Sequence, residues 1–386
     1  MGGTLQVGGE NSSTTLTTAR HPTASLAFSL TAGIVPTGIP VVFPWDKTLF
    51  LRPSTNLWAV LEFFKKNHVF NSLLLLPYAL VIRSVVILFP EARIKGEILG
   101  SWGGDFITFT HTWGAGEFFL STFLVFIQAA IINRLFIKQS MIGEINLFPG
   151  LCYVLLTSLH PSFIGISSIL LANTTMLIAF GYLFDVLKKD RQEETRFMAG
   201  WWLSVSGLLY SPYFTLILFG LLAMSMLKTL KVKDIFQFVT GYISPFLIGW
   251  MIRVIITGDI NPVILEMFSS FGLPELGVMY NLADIVTLSV MALLLLISLL
   301  AYSQIIARKN IHAQKKIDTM YALVFFTILM AFFVPVISIQ YLMVLIVPFS
   351  LFMAILLRGI RHPAIAESLH FILFVLAIIT QFLFLV

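Results

Sequence analysis

The residue types best suited to chemistry are concentrated between positions 91 and 113. Glu91, Arg93, Lys95 and Glu97 are followed by Gly100-Ser101-Trp102-Gly103-Gly104-Asp105, then by His111 and Trp113. A carboxylate such as Asp105 can serve as a general base, and Arg93 and Lys95 can hold a phosphate through charge-assisted bonds. The glycines before Asp105 let the backbone bend close to a bound headgroup. The same residues also suit a solvated loop whose charges meet only water, so both readings stand at this point.

Other candidates lie inside apolar stretches. Leu159-His160-Pro161-Ser162-Phe163 and Tyr210-Ser211-Pro212-Tyr213-Phe214 form a weak internal repeat, each joining a short apolar piece to a longer one. Proline at a first helical position starts a helix, and helix N-termini in short, interrupted segments can face an anion. The alternative is an ordinary tight hairpin between antiparallel helices. Arg83, Glu117, Arg253 and Asp284 sit within or at the ends of apolar runs, where charge is costly and usually has a purpose. Together they suggest an outward-facing polar cavity. Singly they suggest an Arg253–Asp284 ion pair and an Arg83 that snorkels to the interface.

Several chemistries find no support. There is no phosphate-binding GxxxxGK[ST], no GxSxG and no HExxH, the patterns of nucleotide binding, serine hydrolysis and zinc proteolysis. Cys152 is the single cysteine, which excludes a disulfide framework and a CxxC pair. His68, His312 and His362 fall on one side of the expected membrane, His111 and His160 on the other, and His370 early in the last span. A four-histidine iron site, and with it a membrane oxygenase, is therefore not expected.

The elements that must position these residues are helices in a bilayer. Of 386 residues, 58% are hydrophobic and 11% charged, and the mean hydropathy is +0.93. Apolar runs near spanning length recur along the chain. They cover about 70–89, 117–136, 147–160, 163–184, 197–210, 213–227, 238–256, 282–303, 319–338, 339–357 and 365–386. The fold expected is all-α, a polytopic transmembrane bundle of about eleven segments with two short, Pro-linked helix pairs. With the N-terminus in the cytoplasm, Lys138, Lys188, Lys231, Lys315 and Arg358 all fall inside, as the positive-inside rule requires. The stretch 1–59 reads as a disordered tail or an over-called gene start, and 60–386 as one transmembrane domain.

Phe148-Pro149-Gly150-Leu151, Leu155-Leu156-Thr157-Ser158-Leu159-His160-Pro161, Leu170-Leu171-Ala172-Asn173-Thr174 and Ser244-Pro245-Phe246, with Asn133-Arg134 before them, resemble a family of Bacteroidota inner-membrane proteins of unknown function. That resemblance implies a source and a bacterial inner-membrane location. More loosely, the chain resembles the multi-span GT-C glycosyltransferases, which use polyprenyl-phosphate sugars. Gln340-Tyr341-Leu342-Met343-Val344-Leu345-Ile346-Val347-Pro348 falls where they carry Arg-Tyr-Leu-Leu-Pro-x-x-Pro. The second resemblance implies a GT-C-like bundle and sugar transfer at the outer face. Asp105 would be the base, and Glu91, Arg93, Lys95, His111, His160 and Arg253 would lie around the substrate. A divalent metal is possible, and no nucleic-acid partner is implied. A transporter or flippase, or a non-catalytic subunit of an envelope assembly, are the rival expectations.

Overall fold

The computed structural model describes residues 60–66, 68–89, 101–143, 145–187, 192–258, 272, 281–307, 309–332, 334 and 338–383, with a few side chains among them left out. The stretch 1–59, Glu91, Arg93, Lys95 and Glu97 lie outside the described residues. Among the described residues the chain is helical, with no strand.

In chain order the helices are α1 (Val60–Phe64), α2 (Val69–Leu73), α3 (Leu75–Ile82), α4 (Val85–Leu88), α5 (Ser101–His111), α6 (Ala115–Lys138), α7 (Phe148–Leu156) and α8 (Ser168–Asp185). They continue as α9 (Gln192–Leu209), α10 (Leu216–Leu227), α11 (Val232–Thr257), α12 (Leu282–Leu300), α13 (Tyr302–Ile306), α14 (Ile311–Ala331), α15 (Met343–Gly359) and α16 (Pro363–Leu383). Short 3-10 turns at Pro161–Phe163, Ser211–Thr215 and Ile339–Leu342 precede α8, α10 and α15.

Among the described residues, six helices are long and apolar enough to cross a membrane: Ala115–Lys138, Ser168–Asp185, Val232–Ile256, Leu282–Leu300, Ile339–Gly359 and Pro363–Leu383. The other apolar segments are shorter or bear charge. The expected span at 70–89 is divided into α2, α3 and α4; Pro77, with no N–H to give the Leu73 carbonyl, accounts for the first of the two breaks. The expected segment at 319–338 is a helix that begins eight residues earlier, at Ile311. The Asn310 side chain accepts from Ala313 N at 2.7 Å, and such a cap starts a helix well before its apolar run.

The core forms around α7, α8 and α15, with side chains buried throughout α7 and mostly buried along α8 and α15. At the basic end of the bundle, Lys138 meets Asp185 at 2.8 Å, and the buried Lys316 donates to Gln139 Oε1 at 2.7 Å. The crossing of α9 and α11 is close enough to need two glycines. A Cβ at Gly200 would stand 2.2 Å from Phe238 O, and one at Gly241 would stand 2.1 Å from Phe197 O. Small residues let helix backbones approach in this way where no hydrophobic force distinguishes helix from lipid. Arg196 and Asp234, both buried, join the same two helices at 2.9 Å.

Candidate functional site

The site is built on an interruption in the backbone. Helix α7 is nine residues long, or about 14 Å, too short to cross a bilayer. It ends inside the bundle, and α8 does not begin until Ser168. The intervening carbonyls and N–H groups are almost entirely shut off from solvent. A buried backbone group without a partner costs about 1–3 kcal/mol, so irregular backbone at such depth persists only where side chains complete it.

Arg83, α16 and α6 supply those side chains, and α5 and α12 bring further side chains against them. Arg83, which follows α3, donates through Nη2 to Thr157 O (3.0 Å) and Phe163 O (3.2 Å), and through Nε to Ser158 Oγ (3.2 Å). A cation at the last carbonyls of α7 also suits the negative end of that helix. From α16, Gln381 Nε2 donates to Ser158 O at 2.9 Å and Ile82 O at 3.0 Å, and Thr380 Oγ1 donates to Leu159 O. From α6, Ser121 donates to Ile164 O, while Glu117 accepts from Ile166 N at 3.2 Å. On α5, His111 Nε2 lies 3.5 Å from the same Glu117 carboxylate. From α12, Asp284 Oδ1 stands 2.9 Å from His160 Nε2. The N-terminus of α7 is completed too: Asn133 Oδ1 accepts from Gly150 N at 2.7 Å, and Asn146 Oδ1 from Phe148 N at 3.1 Å.

Within this frame His160 sits between an acid and a hydroxyl. Its Nδ1 accepts from Ser162 N at 3.2 Å and contacts Ser162 Oγ, while its other nitrogen faces Asp284. A neutral ring so held carries its proton on Nε2 and keeps a lone pair at Nδ1. Arg83 differs from the other charges. It is fully buried, its bonded partners are all neutral, and Nη1 has no partner among the described residues. A buried charge is costly unless it is paired.

His160 is brought into this centre, and His111 is tied to it through Glu117. Asp105 lies on α5, so the expected flexible loop is helical from Ser101 to His111. Thr108 closes a turn of it by donating to Gly104 O at 2.8 Å. Arg253 is half-buried on α11, which packs chiefly on α9 and α10. Asp284 pairs with His160, and Arg83 does not snorkel but turns inward to the break. Ser121, Ser162, Thr380 and Gln381 were not legible as site residues. The available signal was the polar pair Thr380-Gln381 inside the otherwise apolar stretch 371–386.

Fold and site together define an all-helical protein with several helices fit to span a membrane and a buried polar centre at an interrupted helix. Comparison of the chain with protein-family models, with curated proteins and with solved structures finds no match.

Proposed function

We propose that this protein is a GT-C-like glycosyltransferase of the bacterial inner membrane that takes a sugar from a polyprenyl-phosphate donor at the outer face. In this reading the N-terminus is cytoplasmic, since the basic ends of the helices then lie inside. The observation that carries the proposal is Arg83: a fully buried guanidinium with only neutral partners and one open nitrogen calls for an anion. A phosphate oxygen answers that charge and the open Nη1 together. Asp105 stands six residues before His111 on α5, about 9 Å along the helix axis. His111 in turn faces Glu117, which bonds to the break. In this reading the base would act from the helix that also carries His111.

The test uses the purified protein in bilayer nanodiscs. Polyprenyl phosphate is expected to bind at least about tenfold more tightly than the uncharged polyprenol, the difference one charge-assisted bond supplies. Arg83→Lys should keep part of that preference and Arg83→Gln should lose it. Asp105→Asn should bind the donor normally and lose about 10²–10⁴-fold in transfer rate. Equal binding of the two lipids, or sugar transfer undisturbed in Asp105→Asn, would overturn the proposal. A transporter or flippase is the second reading. It is favoured by the three 3-10 turns before α8, α10 and α15, because interrupted helices line many transport sites. Movement of the intact donor across the bilayer without sugar transfer would select it.

A further inference from the structure

A second site lies between α3 and α16, on the stretches of those helices that precede Arg83 and Thr380. There a cavity of about 730 Å³ is lined by Tyr78, Val81, Glu367, His370, Phe371 and Phe374 among others. That volume is within the range of small-molecule sites, which are mostly apolar with a few placed polar groups. Three features narrow what it can hold.

The first is how a ligand enters. Val81 and Phe371 on the cavity walls are 58% and 60% exposed, and they belong to apolar faces of helices that suit lipid. A ligand would arrive from the bilayer, carrying a hydrocarbon part. The second is charge. Glu367 accepts from Val60 N at 2.7 Å and Leu61 N at 3.1 Å, so both its oxygens are held at the start of α1 and its negative charge turns an anionic ligand away. The third is a specific polar atom. Tyr78 OH lies 3.0 Å from His370 Nε2. With the phenol donating there, the neutral ring carries its proton on Nδ1. His370 is only 4% exposed, and Nδ1 has no partner among the described residues. A plain acyl chain would leave that donor unsatisfied; a ligand carbonyl would not.

The rings add a shape. Phe371 and Phe374 are near-parallel at 16° with centroids 6.5 Å apart, and Tyr78 lies 5.8 Å from Phe374. Such faces accept a flat ring in offset stacking. We infer that the pocket between α3 and α16 binds a prenylated quinone, with the ring among Tyr78, Phe371 and Phe374, one carbonyl accepting from His370, and the tail directed into the lipid. This site is independent of the donor phosphate proposed at Arg83.

The experiment compares two probes on the full chain in nanodiscs: 2-methyl-1,4-naphthoquinone bearing one isoprenyl unit, and the matching naphthalene without carbonyls. Equilibrium binding should favour the quinone by about five- to tenfold, the worth of one neutral hydrogen bond in a buried site. His370→Phe, checked for an unchanged melting transition, should reduce the quinone to the level of the naphthalene. Val81→Trp, on an exposed wall, should exclude both probes and stands in if the His370 variant does not fold. Equal affinity for the two probes, an unchanged preference in His370→Phe, or full binding in Val81→Trp would each overturn the assignment.

Discussion

The two proline-linked connections look alike in sequence and behave differently in the fold. Leu159-His160-Pro161-Ser162-Phe163 follows a nine-residue helix, whereas Tyr210-Ser211-Pro212-Tyr213-Phe214 follows one of eighteen residues. Pro161–Phe163 and the residues just before it are buried throughout, and they are completed by Arg83, Gln381, Thr380, Ser121 and the His160–Asp284 pair. Around Ser211–Thr215, Leu208, Leu209, Phe214 and Thr215 are half-exposed. That turn is held by neutral groups: Tyr242 OH donates to Phe214 O at 2.9 Å, Tyr213 OH donates to Asn173 Oδ1 at 2.6 Å, and Tyr210 and Tyr213 meet edge to face. In both connections proline opens a 3-10 turn. The length of the preceding helix decides how deep the open backbone lies, and depth decides whether charged side chains must complete it.

The largest expected effect tests that difference directly. Arg83→Met keeps the length of the side chain but leaves Thr157 O and Phe163 O without their donors, and it should lower unfolding stability in bilayer mimetics by about 3 kcal/mol. A loss below about 1 kcal/mol would mean that the break does not depend on its cation. Next in size is Gly150→Ala, where a Cβ would stand 2.3 Å from Asn133 Nδ2 and 2.8 Å from the Ala129 carbonyl. Overpacking against backbone should cost about 1–3 kcal/mol. Its counterpart Gly207→Ala meets the Phe214 ring first, at 2.8 Å, and that ring can shift aside, so the thermal melt should shift less. If the second substitution proved the more damaging, the contrast between the connections would fail. The smallest effect is Tyr213→Phe. It removes one hydrogen bond between helices, and unfolding in mild detergent should report a loss of about 0.6 kcal/mol.

Much of the architecture could be read from residue order. Helices α6, α8, α12 and α15 fall close to the apolar runs that announced them. Pro212 opens a turn that runs straight into α10, whereas Pro161 opens only a three-residue 3-10 turn and α8 starts later, capped by Ser167; Lys138 and Arg358 mark the ends of α6 and α15. Apolar runs were less reliable where capping or proline chemistry overrode them, as at Asn310 and Pro77. The polar centre was only half visible. His160, Arg83, Glu117 and Asp284 drew notice because charge or imidazole in an apolar run is rare. Their partners did not, since Ser121, Thr380 and Gln381 are ordinary polar residues until a bare carbonyl lies opposite them.

By itself the sequence determined that the chain is helical and apolar enough to cross a membrane, because both properties follow from local periodicity and from the transfer free energy of side chains. Tertiary structure alone decided that Asp284 answers His160 rather than Arg253, and that Arg83 turns inward to Thr157 and Phe163. It also brought Tyr78 and His370, 292 positions apart, into one pocket. Such pairings depend on which helices become neighbours, and the many apolar faces of a membrane bundle offer too little contrast for sequence to choose among them.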